Sequence, residues 1–233
     1  MRLFHVQELS IDNNLITITE ERVLKHAKVL RLKEGDTIAV QTEKDWSTTR
    51  RNWSIESLDK KQLVVKAEDK QTIAHTQEWP GMLVWMPNSL DKLQLIVKKL
   101  TELGIQDIVF RKNDRSQGQD ISVKKMSKLC KISQEAVEQS NGWKLSTISQ
   151  VDNIHERVVW KELVLFDFEW EQASSLAWIP KDRLYGVVWP EGHFSPRDYE
   201  TIGFQVVKKI TLGESILRTE TAAIVGGRLI KNS

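Results

Sequence analysis

The chain has 233 residues, of which 40% are hydrophobic and 28% are charged, a composition typical of a folded globular protein and not of a disordered one. No segment approaches the ~18 uninterrupted apolar residues of a membrane-spanning helix, and the segment after Met1 lacks the apolar core of a signal peptide. The single cysteine, Cys130, excludes an internal disulfide. We therefore expect a cytoplasmic protein.

The net charge is only 34 − 32 = +2, but it is unevenly distributed along the chain. Residues 88–144 carry 11 basic and 7 acidic side chains, whereas residues 145–233 carry 10 basic and 12 acidic ones. Because proteins that bind nucleic acids concentrate lysine and arginine on one surface, the middle of the chain is the candidate phosphate-facing region. So small an excess of positive charge is explained equally well by a helix face that is exposed to solvent.

The first 70 residues predict a small antiparallel β-barrel or sandwich with one helix. The helix runs over residues 20–29, with Thr19 as its N-cap and Val23, Leu24 and Ala27 on its inner face. Polar residues 68–78 predict a linker. The predicted strands are residues 3–6, 15–18, 37–41, 53–58 and 63–67.

From residue 78 onward the pattern predicts a second domain, 78–233, of α/β class with a mostly parallel sheet, because strands alternate with helices. A helix over residues 122–140 is predicted to turn Val123, Met126, Leu129, Cys130 and Val137 inward. The other predicted helices are residues 90–103 and 195–202 and a final helix from residue 215. The predicted strands are residues 82–86, 108–110, 163–166, 184–188 and 205–208.

Several signatures of common chemistries are missing from the sequence. It has no Gly-x-Gly-x-x-Gly, no Walker loop and no Gly-x-Ser-x-Gly elbow, and its five histidines are far apart, so we expect no metal site. Two segments, residues 189–196 and 211–223, each follow a predicted strand and precede a helix. Open α/β sheets bind ligands at that position. These two segments are therefore the candidate site.

The second segment contains an unusual cation. Arg218 lies near the start of the final predicted helix, where the helix dipole disfavours positive charge, whereas Glu220 is favoured there. A capped terminal helix accounts for Glu220 but does not explain Arg218. Arg218 is therefore a candidate functional residue.

Six motifs together resemble the RsmE family, the uridine-N3 methyltransferases of small-subunit (16S) ribosomal RNA within the SPOUT superfamily. The most specific is Leu212-Gly-x-x-Ile-Leu-Arg-Thr-Glu-Thr-Ala-Ala, and the resemblance covers nearly the whole chain. The other matching segments are 26–36, 99–105, 115–116, 135–140 and 190–192.

The resemblance implies a PUA-like N-terminal β-barrel over residues 1–70 and a C-terminal SPOUT domain with a trefoil knot. It also implies a homodimer, a ribosomal RNA substrate and S-adenosylmethionine (SAM) as the cofactor, bound mainly by backbone groups of three loops. The implied cofactor-binding residues are Leu165, Phe166, Trp189, Pro190, Glu191, Gly192, Leu212, Gly213, Ile216, Leu217 and Arg218.

The implied reaction requires the N3–H of a uracil to lose its proton. Arg218 would favour the resulting anion, and either Glu220 or Glu191 could accept the proton. Since N3 lies on the pairing edge, the base must be unpaired or flipped out. The residues expected to contact RNA are Arg31, Lys99, Arg111, Arg115 and Lys144.

The sequence departs from the family pattern in one cofactor loop. The family's Gly-Pro-Glu-Gly-Gly is replaced here by Trp189-Pro-Glu-Gly-His193, so bulky side chains stand in place of both flanking glycines. Two alternative functions are therefore considered beside this interpretation. One is an RNA-binding relative that has lost SAM, and the other is a SPOUT methyltransferase that modifies another RNA position.

Overall fold

The computed structural model contains two compact units, one formed by residues 1–77 with 137–144 and the other by residues 78–136 with 145–233. The assignment of residues 137–144 to the first unit was not indicated by the sequence. The described residues are 2–6, 11–12, 14–42, 49–67, 73–74, 80–112, 120–142, 144–158, 160–172, 179–188, 200, 202 and 205–233.

The first unit contains a mixed sheet of seven described strands in the order β1-β4-β5-β6-β3-β2, with β7 paired to β5. The predicted antiparallel arrangement is wrong for one pair, since β1 and β4 are parallel. The long connection between them, which includes helix α1, permits this. The elements are β1 (Arg2–Val6), β2 (Ile11–Asp12), β3 (Leu15–Ile18), α1 (Glu21–Val29), β4 (Thr37–Thr42), β5 (Thr49–Leu58), β6 (Leu63–Ala67) and β7 (Ile73–Ala74).

Helix α1 covers one face of this sheet through the side chains that its periodicity predicts. Val23, Leu24 and Ala27 are all buried, together with Phe4 and Trp53 of the sheet. The helix begins one residue later than predicted: Glu20 is the N-cap and makes no side-chain capping bond. Burial of the apolar stripe therefore holds this helix in place more than its cap does.

A buried carboxylate, Glu138, joins three parts of the first unit. Its Oε1 accepts hydrogen bonds from the backbone N–H of His5 at 3.0 Å and from Nη1 of Arg22 at 2.6 Å. Its Oε2 lies 3.6 Å from Nδ1 of His26. The side chain of Glu138 is 2% exposed, so these bonds replace its hydration almost completely.

Replacing Glu138 with alanine is expected to lower the free energy of unfolding by about 2–4 kcal/mol. The change leaves the guanidinium of Arg22 and the N–H of His5 without their acceptor; the partial exposure of Arg22 moderates the loss. Urea denaturation measures the effect. Glu135→Ala, at an exposed position of the same helix, is the control and should change stability by less than about 0.5 kcal/mol. Equal stability of the two variants would contradict the assignment.

The second unit is built on six parallel strands in the order β10-β9-β8-β12-β11-β13. This confirms the predicted α/β class with a mostly parallel sheet. The sequence did not indicate β10 or the short helix α4. The elements are β8 (Gly81–Trp85), α2 (Leu90–Glu102), β9 (Asp107–Arg111), α3 (Val123–Ser140), β10 (Thr147–Val151), α4 (His155–Val158), β11 (Glu162–Gln172), β12 (Leu184–Val188), β13 (Val206–Thr211) and α5 (Thr219–Asn232).

Both faces of the central strands are covered, as in other parallel sheets. All five residues of β8 and all five of β12 are buried. Alternate side chains enter two separate cores, one containing Met82 and Phe166 and the other containing Leu83 and Leu165. Near-continuous apolar runs are therefore the sequence signal of these strands.

Two predictions about the helices are wrong. On α3, Val123 is 89% exposed and Cys130 is exposed, whereas Leu129 and Val137 are buried as expected. The buried face is centred on Ser133, whose hydroxyl lies 3.2 Å from that of Thr101, so apolar residue types alone misplace it. The final helix begins at Thr219 and not at residue 215. The predicted helix over residues 195–202 lies almost entirely outside the described residues.

Candidate active site

The strand order changes direction between β8 and β12, in the middle of the second sheet. The chain leaves β8 towards β9 on one side and leaves β12 towards β13 on the other. A crevice forms at the carboxyl ends of strands at such a switch point, and ligands of open α/β sheets bind there. The helices α2 and α5 both pack near this position, against each other and α5 against both strands.

The starts of α2 and α5 meet through an ion pair. Nζ of Lys92 lies 3.8 Å from Oε2 of Glu220, in the first turn of α5. The side chain of Glu220 is only 12% exposed, and its Oε2 has no hydrogen-bond partner among the described residues. The carboxylate of Glu220 thus lies at the positive end of α5, close to the ammonium of Lys92. Lys92 is a site residue that sequence reasoning missed.

Arg218 is the N-cap of α5, with an extended backbone at φ −64° and ψ 152°. Its side chain is exposed, whereas the neighbouring Thr219 is 5% exposed and Glu220 is mostly buried. The predicted catalytic pair is therefore close along the chain but differently placed. Arg218 is exposed to solvent, whereas the carboxylate of Glu220 is shielded from it.

The segment between β13 and α5 presents backbone and apolar side chains to the outside. Gly213 has φ +133°, a conformation that L side chains rarely adopt, and its N–H donates to Oγ1 of Thr211 at 3.2 Å. Leu212 packs against the core, Leu217 is half-buried, and Ile216 is 76% exposed. An exposed isoleucine beside an irregular backbone fits a segment that covers a flat apolar ligand.

The predicted backbone contacts of Leu165 and Phe166 with the cofactor stay predictions, but the strand that carries these residues is longer than expected. We expected a strand end at these residues, but β11 continues to Gln172. Leu165 pairs with Val187 of β12 and, like Phe166, with β13. Both side chains are buried. The predicted strand end at Phe166 is therefore wrong, because composition predicts strand length poorly.

The side chain of Phe166 has a packing role. Its ring fills the space between Gly186 of β12 and Gly226 of α5: a Cβ on Gly186 would lie 2.6 Å from the ring, and one on Gly226 would lie 2.3 Å from it. The absence of both side chains allows α5 to approach the sheet closely. The sequence signal for this contact was a pair of adjacent glycines inside an apolar helix. Each glycine is disfavoured there by about 1 kcal/mol relative to alanine, so the pair indicates a packing requirement.

The far end of α5 is held by Lys181, which precedes β12. Its Nζ donates to the carbonyl oxygen of Ile230 at 3.0 Å and to that of Ser233. A cation at this end of a helix is favourable because the unpaired carbonyls carry partial negative charge. Burial, together with the charge of Lys181, lowers the pKa of Lys231 to about 8.

The residues expected to contact RNA are placed differently from one another. Arg31 is exposed, and Lys144 is half-buried. Lys99 is bonded to Glu102 at 2.8 Å. Arg111 is only 5% exposed and its guanidinium lies 5.2 Å from the ring centroid of Trp85, so a direct RNA contact is not supported for it. Outside the described residues lie Arg115, Trp189, Pro190, Glu191, Gly192 and His193.

The described part of the chain lacks two kinds of feature. No three or more His, Cys, Asp or Glu side chains come together there in a way that could hold a metal ion. Likewise, none of its helices is both long and apolar enough to cross a membrane.

Residues 77–231 match the RNA methyltransferase domain family, and the chain belongs to that family. Ribosomal RNA small subunit methyltransferase E of Rickettsia conorii is 27% identical over 224 residues, which cover 91% of this chain and 88% of that protein. The recognition of the family from its motifs is thereby confirmed.

Solved structures show the same fold. The ribosomal RNA small subunit methyltransferase E of Neisseria gonorrhoeae, bound to S-adenosyl methionine, superposes with a TM-score of 0.79 at 19% identity, covering 100% of this chain and 97% of that one. A predicted RNA methyltransferase of Thermotoga maritima gives a TM-score of 0.69 at 25% identity, covering 100% and 98%. The fold is thus shared over the full length of both chains.

Proposed function

We propose that this protein transfers a methyl group from SAM to N3 of a uridine in small-subunit ribosomal RNA. The observation that carries the proposal is the arrangement at the start of α5, where Arg218 is exposed and the carboxylate of Glu220, two residues further on, is shielded. Family membership supports RNA methylation, and the names of the Rickettsia and Neisseria relatives support a ribosomal substrate.

The segment from Leu212 to Arg218 fits a bound SAM. It offers the irregular backbone around Gly213 and the exposed side chain of Ile216, which together suit an adenosine held by backbone groups and apolar contact. By resemblance, residues 189–192 supply a second wall. When bound there, SAM would supply an activated methyl group.

Side chains of this protein accept the proton of the uracil and stabilise its developing charge. The guanidinium of Arg218 stabilises negative charge that develops on the base when N3 loses its proton. Glu220 is the first candidate acceptor for that proton, because its shielded carboxylate lies in the first turn of α5, two residues from Arg218. Glu191 is the alternative acceptor. Positioning of the two reactants contributes the rest of the rate enhancement.

The finer architecture is part of the same proposal. After β13 at the sheet edge, the chain returns so that α5 packs on the central strands β8 and β12, an arrangement compatible with the trefoil knot of SPOUT domains. The first unit acts as a PUA-like RNA-binding module, with Arg31 and Lys144 as contacts. The protein works in the cytoplasm, where ribosomal RNA is its partner.

A homodimer is proposed as well. Leu95 of α2 and Val225 of α5 are 41% and 40% exposed, and Ile216 is 76% exposed, so the region of the two packed helices retains apolar surface. Light scattering coupled to gel filtration should give twice the monomer mass. A monomer at micromolar concentration would contradict this part.

Titration of SAM into the folded protein by calorimetry tests the proposal, and saturable binding is expected. Absence of binding would instead support an RNA-binding relative without activity, an alternative favoured by Trp189 and His193 in place of family glycines. Mass mapping of ribosomal RNA from a deletion strain then tests the target. Persistence of the N3-methylated uridine in that strain would favour another RNA position.

A further inference from the structure

The exposed face of α3 carries an unusual run of positive charge. Between Ile121 and Gln134 the chain has four lysines and no acidic residue. Lys124, Lys128 and Lys131 follow one another at intervals of four and three residues, so they project within about 60° of arc over roughly 10 Å of helix. All three are exposed. These three residues are called the lysine face.

The lysine face is not neutralised by the described parts of the protein. The nearby carboxylates of Asp120 and Asp152 are both paired with Lys112. Within the described residues, Lys124, Lys128 and Lys131 make no ion pair or hydrogen bond. The charge of this face is therefore available to an external anion.

The placement of these lysines does not favour the stability of α3. The first turn of the helix contains no acidic residue, although the positive end of a helix favours one. Lysines three and four positions apart also repel one another. An arrangement with two unfavourable terms and no compensating internal pair points to an external polyanion.

The lysine face begins at the edge of the sheet that holds the candidate active site. The backbone N–H of Ile121 donates to Oε1 of Gln150 at 2.7 Å, and Gln150 is the penultimate residue of β10. Since all six strands are parallel, the start of α3 lies at their carboxyl edge, as do the starts of α2 and α5. A polyanion bound to the lysine face therefore approaches from the substrate side.

We propose that the lysine face binds the phosphate backbone of the RNA substrate, an inference that rests on the proposed RNA methyltransferase function. Lysine ammonium groups on flexible stems suit phosphates of varied geometry, and such contacts position an RNA without reading its sequence. The lysine face thus holds the RNA while other groups select the uridine.

The test is the triple variant Lys124→Gln, Lys128→Gln, Lys131→Gln, with a fluorescein-labelled fragment of small-subunit ribosomal RNA as the probe. Fluorescence anisotropy over about 50–200 mM salt measures affinity and its salt dependence. Loss of three phosphate contacts should weaken binding at least tenfold at the lower salt and reduce the slope of log K against log salt by about 2.

Two matched variants separate a specific contact from net charge. The triple variant Arg157→Gln, Arg183→Gln, Arg228→Gln removes the same charge from exposed positions of the second unit outside α3 and should retain most of the affinity. The triple variant Lys124→Arg, Lys128→Arg, Lys131→Arg should preserve both affinity and slope. An unchanged slope in the lysine-face glutamine variant, or an equal loss in the other glutamine variant, overturns the inference.

Calorimetric measurement of SAM binding distinguishes failure of the lysine-face inference from failure of the proposed function. If the unmodified protein binds SAM and methylates RNA while the lysine-face variant keeps its RNA affinity, only the lysine-face inference fails. If the unmodified protein binds no SAM but loses RNA affinity with the lysine face, the RNA contact stands and the methyl-transfer proposal fails. Equal SAM affinity of both proteins also shows that the variant is folded.

Discussion

Replacing Arg218 with alanine should lower the rate of methyl transfer by about 10²–10³-fold, the usual loss when one group that stabilises developing negative charge is removed. The fold should remain intact, because the side chain is exposed and lies ahead of the first turn of α5. Single-turnover transfer of a radioactive methyl group to ribosomal RNA measures the rate, and thermal unfolding measures the fold.

Arg228→Ala is the matched control for this prediction. Arg228 is an exposed arginine on the same helix, so its loss removes the same charge at a distance from the start of α5. The control should retain near-normal turnover. Near-normal turnover in the Arg218 variant would remove this residue from the catalytic role, and an equal loss in both variants would indicate a general effect of charge on RNA binding.

Gly226→Ala should produce the largest loss of stability among single-methyl additions to α5. The new Cβ would lie 2.3 Å from Cε2 of Phe166, whose ring is buried and has no room to turn aside. Overpacking of this kind costs about 1–3 kcal/mol, whereas alanine at an open helical position would stabilise by up to about 1 kcal/mol. Denaturant titration gives the free energy of unfolding. SAM affinity should fall as well, since α5 carries Arg218 and Glu220.

A double-variant cycle identifies the contact responsible. Phe166→Leu shortens the group that meets the new methyl, so the double variant should be less destabilised than the sum of the two single variants. Arg228→Ala, at an exposed position of the same helix, serves as the control with a small effect. Strict additivity of Gly226→Ala and Phe166→Leu would show that the two residues do not oppose each other.

Local patterns were sufficient for most elements of this protein. Helix α2 and the inner face of α1 followed from apolar spacing, and every strand of the second sheet except β10 followed from buried apolar runs alternating with helices. Such patterns work because burial of one stripe or face is the main favourable term in forming an element. They failed on α3, where a buried Ser133 and an exposed Val123 reverse the expectation from residue type.

The parts of the candidate site also differ in how far the sequence predicted them. The motif from Leu212 to Ala223 identified the family without any structure, because it is long and its residues follow the order of the family pattern. Local sequence did not reveal that β11 extends beyond Phe166, since strand ends depend on the partner strands available. It also did not reveal that Lys92 faces Glu220, because the two residues are 128 positions apart and meet only when α2 and α5 pack.

By itself, then, the sequence determined the α/β class, the methyltransferase family and the segment that carries Arg218 and Glu220. These depend on composition, periodicity and contiguous motifs, all of which are local. Only the tertiary structure decided which of these side chains is exposed and that Phe166 is a packing residue between two glycines. It also decided that three lysines of α3 make no ion pair or hydrogen bond with the described part of the chain. The physical reason is that burial and charge pairing are set by neighbours distant in the chain, which no local pattern specifies.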